Sequence, residues 1–92
     1  MVERPRLDLR EELTRVREAE QAVNAGTPGR ALAILDELQR SPGGKLREER
    51  AALRVLAHCQ LGSALRLDHA RRFLGTYQNS VYALRIRAAC GE

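Results

Sequence analysis

One segment constrains everything around it: residues 45–61, KLREERAALRVLAHCQL, carry apolar residues on most sides of a helix. At about 100° per residue, Ala52, Leu53, Val55, Leu56, Ala57, Cys59 and Leu61 leave one narrow polar stripe, through Arg47, Arg50, Arg54 and His58. A helix apolar on that much of its circumference has to be covered on more than one flank. The flanking segments are therefore read as its neighbours.

Upstream, residues 1–7 are charged, contain Pro5 and lack a periodic pattern, so they read as a lead-in. Asp8 and Glu11 match the first and fourth positions of a capping box. The helix they open places Leu9, Leu13, Val16, Ala19, Ala22 and Val23 on one stripe, pairs Glu11 with Arg15, and stops at Gly26. Thr27-Pro28 begins a second helix with Ala31, Leu32, Leu35 and Leu38 inward, Ile34 at the edge, and Ser41, Pro42, Gly43 and Gly44 as its stop. Short connections predict antiparallel neighbours. After the central helix and Gly62, a fourth helix inside residues 63–76 contributes Leu67, Ala70, Phe73, Leu74 and Tyr77. Ser80 caps a last helix through Cys90, with Val81, Leu84 and Ala88 expected to dock and Arg85 and Arg87 to stay wet.

The chain of 92 residues is one small domain, able to bury roughly 60–65% of its unfolded surface. Strand formers are sparse and no run alternates with period two, so the expected class is all-α, with about five helices. The net charge of +4 is spread among acids without a block of like charges, and Lys45 is the sole lysine among sixteen basic residues. That scatter argues against an electrostatic nucleic-acid surface. No apolar run approaches the roughly 20 residues that span a bilayer, and the N-terminus has no hydrophobic signal core, so the expectation is a soluble domain. Two cysteines are too few for a disulfide framework or a structural zinc site.

Two helix pairs overlay. Ala25-Gly26 matches Leu61-Gly62, Ala31 matches Ala70, Leu35 matches Leu74, Leu38 matches Tyr77 and Ser41 matches Ser80, with the extra residues of the second copy inside 63–69. A period in the thirties with small residues at helix crossings is the pattern of an α-solenoid. The spacing Gly26, Ala31, Leu35, Pro42 resembles the tetratricopeptide repeat. More specifically, Ala31-Leu32 with Leu35, Glu49-Arg50 with Leu53, Cys59-Gln60-Leu61-Gly62, Ala70 with Phe73-Leu74, and Arg85-Ile86-Arg87-Ala88-Ala89-Cys90 are similar to a two-repeat domain found in C-terminal positions of envelope regulatory proteins from GC-rich bacteria. The resemblance covers residues 9–90. It implies repeat 1 over 8–42, repeat 2 over 43–79 and a capping helix over 80–90. The usual first-helix aromatic is absent, with Ala19 and Ala22 there, and Gln78-Asn79-Ser80-Val81 stands where a proline is expected.

Cys59 and Cys90 each lie near a helix end. Two readings stay open: small buried apolar side chains, or a disulfide tying the last helix to the central one. The residues alone prefer the first, since free cysteine is among the most buried residue types; the likeness to envelope proteins raises the second. His58 and His69 read as solvated surface histidines, since His58 and Cys59 point about 100° apart. No phosphate loop, H-E-x-x-H helix or nucleophile elbow occurs, so no catalytic residue, metal ligand or cofactor is assigned and no enzymatic activity is expected. Arg47, Arg50 and Arg54 form one basic stripe, and Arg71, Arg72, Arg85 and Arg87 a second basic region. Each is either a solvated face or a rim for an acidic segment or anionic surface. Tyr77 and Tyr82 are either end-of-core packing or interface anchors. The expected function is a non-catalytic protein-interaction module that binds a protein or peptide, or pairs with itself. The alternative is a small basic helical nucleic-acid-binding domain. By resemblance it belongs to the cytoplasmic or periplasmic part of a longer bacterial envelope or regulatory protein.

Overall fold

The computed structural model of the chain describes residues 8–40 and 45–91. The expected lead-in at 1–7 and the Ser41 to Gly44 stop lie outside the described residues. Five helices follow one another: α1 (Leu9–Asn24), α2 (Pro28–Gln39), α3 (Arg47–Leu61), α4 (Arg66–Thr76) and α5 (Ala83–Cys90), with no strand among the described residues. The chain is all-α. Helix α3 buries Ala52, Leu53, Val55, Leu56 and Ala57 and packs against all four other helices, as its apolar girth requires. No helix among the described residues is long and apolar enough to cross a membrane.

The polar contacts fix the directions. Glu12 of α1 meets the chain just ahead of α3, and Gln60 at the end of α3 donates to the Val23 carbonyl at 2.7 Å near the end of α1, so the two run parallel. Ser80 donates to Glu48 at 2.8 Å near the start of α3, while Cys90 joins Cys59 near its end, so α5 is parallel to α3 as well. Helices α2 and α4 run the other way, α2 against α1 and α3, α4 against α3 and α5. The Arg15 guanidinium of α1, bonded to Glu37 near the end of α2, shows the antiparallel sense of the first pair. Gly26 and Gly62 close α1 and α3 at φ of +77° and +68°, the left-handed conformation that glycine adopts without strain.

Several local expectations change. The Asp8 carboxylate does cap α1, accepting from the Glu11 amide at 2.7 Å. Arg15, however, pairs with Glu18 at 2.6 Å and with Glu37 rather than with Glu11. Leu9 and Leu13 are exposed, and Glu12 is the inward residue of that turn at 1% exposure. The reason is at the start of α3, where Leu46 supplies no side-chain cap. Glu12 Oε1 accepts from the Lys45 amide at 2.8 Å, Oε2 from the Leu46 amide at 3.2 Å, and Arg50 lies 3.3 Å away. A carboxylate there satisfies amides and complements the positive end of the helix. In α2, Ile34 is buried and Leu32 only half-buried. Thr27 stands at the cap position, but its hydroxyl donates backwards to the Ala22 carbonyl at 2.9 Å.

The largest correction concerns α5. It begins at Ala83, and Ser80 sits in the preceding turn, its hydroxyl oxygen accepting from the Tyr82 amide at 3.1 Å. The docked face is Ala83, Ile86 and Cys90. Val81 is 89% exposed and Leu84 78%, and Ala88 is exposed too, so the stripe expected to dock faces outward. Cys90 sets that rotation: once its sulfur meets Cys59, the residues three and four positions apart on its own face turn inward.

Candidate functional site

The sequence-predicted basic and aromatic residues separate into groups with different surroundings. Arg50 is half-buried and held to Glu12, which commits it to the start of α3. Arg47, Arg71 and Arg87 are exposed on α3, α4 and α5 respectively. Arg85 of α5 reaches across to the Asn24 side-chain oxygen at the end of α1.

Arg54, Arg72 and Tyr77 come together. They line a cavity of about 220 Å³ in the groove between α3 and α4. Its apolar wall is Ala51 and Val55 from α3 with Phe73 from α4; the remaining lining residues are His69 and Thr76. Antiparallel packing of α3 and α4 brings these residues together, and Val55 and Phe73, both buried members of the core, form the floor of the hollow. Arg54 is steadied by α2, with Nη2 3.0 Å from Asp36 Oδ1 and 3.4 Å from Gln39 Oε1. Among the described residues Arg72 enters no ion pair. Tyr77 closes the end of the groove, its ring tilted 39° against Phe73 at 5.0 Å. No lining residue carries a carboxylate.

His69 brings a feature that sequence reasoning missed. Its ring lies parallel to that of His58, with centroids 4.5 Å apart and planes within 8°. Both are half-buried, contrary to the solvated expectation. Burial comes first in lowering the His58 pKa below 6.5; His69 and Arg54 act in the same direction, and Asp36 opposes them. The two histidines are eleven positions apart with the Gly62 break between them, so no local periodicity pairs them; overlaying the helix pairs as antiparallel neighbours across Gly62 is the signal that could have done so.

A second hollow, of about 260 Å³, lies on the other side of α3. Leu13, Val16, Arg17 and Glu20 of α1, Leu46 and Glu49 beside α3, and Tyr82 line it. Here the charges are mixed. Burial, then Glu20 and Glu49, and more weakly Glu48, push the Tyr82 phenol up against the opposing pull of Arg85. Among the described residues no group of three or more His, Cys, Asp or Glu side chains is gathered as a metal site. The two cysteines are bonded to each other, with Cα atoms 5.1 Å apart, inside the range that a disulfide spans.

No protein-family model, curated protein or solved structure matches the chain.

Proposed function

We propose that the chain is a non-catalytic protein-interaction module, built like a tetratricopeptide pair with a capping helix, that serves a bacterial regulatory or envelope-associated protein. The observation that carries this reading is the groove between α3 and α4, where an apolar wall is rimmed by guanidinium, imidazole and phenol groups on two packed helices. Stacking helix pairs on a shared central helix leaves such grooves where neighbouring helices diverge. The parallel course of α1, α3 and α5, with α2 and α4 opposed, supports the solenoid comparison. The Cys59 to Cys90 bond supports an oxidising compartment, hence the periplasmic rather than the cytoplasmic side.

The test is capture of partners by the intact chain from bacterial extract, cross-linked, with and without nuclease and at two salt concentrations. A specific protein retained through nuclease and the higher salt supports the module. Recovery that collapses with nuclease, or falls steeply with salt, assigns the Arg faces to nucleic acid instead.

A further inference from the structure

The two hollows differ in a way that speaks to what each could hold. Small-molecule sites usually enclose roughly 300–1,000 Å³; the α3–α4 groove, at about 220 Å³, falls below that range and is scaled to one protruding side chain. Its wall of Val55 and Phe73 suits an aromatic or leucine-sized group. Its rim carries Arg54 and Arg72 with His69, and no carboxylate lines it. The Asp36 carboxylate of α2 is bonded to Arg54. The hollow beside Tyr82, by contrast, holds Glu20 and Glu49 along with Arg17 and offers no single sign of charge.

We propose that the α3–α4 groove docks an acidic peptide segment, seating one aromatic or leucine-sized side chain against Val55 and Phe73 while flanking carboxylates meet Arg72 and Arg54. This rests on the interaction-module reading and specifies its partner. The guanidinium fork of Arg72 takes a carboxylate in two parallel hydrogen bonds. The position of Arg54 is set beforehand by Asp36 and Gln39, so less side-chain freedom is lost when the segment binds.

Selection of a random 12-residue phage-displayed peptide library on the immobilised, oxidised chain tests both readings. The proposal expects enriched clones with an aromatic residue or leucine between acidic neighbours. A synthetic copy of the leading clone should shift the amide resonances of Ala51, Val55 and Phe73. Arg72→Glu should weaken it about tenfold, since an exposed attraction is lost and a repulsion added. Arg87→Glu, on exposed α5 surface, should leave it within about twofold. Replacing the central side chain of the peptide by alanine should also cost about tenfold. Enriched clones of neutral or basic consensus, binding indifferent to Arg72→Glu, or shifts confined to the Tyr82 hollow would overturn the acidic-segment assignment while leaving the module reading standing. A library with no enrichment over background sinks both.

Discussion

The two ends of α3 are held by different chemistry. At its start, a buried carboxylate from α1 gathers two backbone amides and a guanidinium; near its end, a covalent bond ties it to α5. The first attachment joins long helices that already share apolar area, with Val16, Ala19, Ala22 and Val23 buried along α1. The second secures a helix of eight residues that buries only Ala83, Ile86 and Cys90. A helix that short has little apolar surface to dock with, and the cross-link substitutes for it. Electrostatic attachment answers to protons, the covalent one to thiols.

Glu12→Ala tests the first attachment and carries the largest expected effect. It leaves two amides and the half-buried Arg50 without their acceptor, and should cost about 3–5 kcal/mol in urea unfolding at pH 7. A loss below about 1 kcal/mol would show that water replaces the carboxylate. The double change Cys59→Ser with Cys90→Ser follows. For a sequence separation of 31 residues, loss of the cross-link should cost about 3–4 kcal/mol. A dithiol reductant should bring the parent down to the same stability while leaving the double-serine chain unmoved. Because α3 is about 20 Å long, the effects of breaking its two ends should add within about 0.5 kcal/mol. Clear non-additivity would mean the helix responds as one strained unit.

Acid should separate the ends next. Burial raises the Glu12 pKa, but hydrogen bonds from Lys45 and Leu46, then Arg50, outweigh it and bring the group below its ordinary 4.5. A depressed native value means that stability is fully present above 4.5 and falls away as pH drops from there through the lower native value. Glu12→Gln should flatten that limb of a melting-temperature profile, whereas the double-serine chain should keep it. The smallest effect belongs to His58. Its lowered native pKa means that the unfolded chain takes up the proton first, so stability should slip as pH falls below 6.5, levelling once the native imidazole is charged. His58→Gln should remove most of this slope between pH 7.5 and 5.5, and a profile identical to the parent would contradict the assignment.

The central position of α3 could be read from residues because its apolar side chains surround the helix axis, a pattern only several neighbours can satisfy. Glu12 could not. A carboxylate on an amphipathic helix reads as a wet face, and its backbone partners lie 33 and 34 residues further on. In α5 periodicity itself was ambiguous: Val81, Leu84 and Ala88 have the same spacing as Ala83, Ile86 and Cys90, so two stripes competed. A bond to a distant cysteine decided between them. Within the groove, Arg54, Arg72 and Tyr77 were each visible as residue types suited to an interface, but their grouping depends on the register of α4 against α3. His69 and Phe73 joined them through that same register.

The stacked imidazoles have one more consequence, for observation. The chain contains no tryptophan, so the usual fluorescent witness to folding is missing. Two parallel aromatic rings 4.5 Å apart shield one another magnetically, and their carbon-bound protons resonate in an uncrowded spectral window. The pair is thus an intrinsic gauge of the seam between α3 and α4. Separation of these helices, whether by heat, acid or an arriving peptide, should register there without any label.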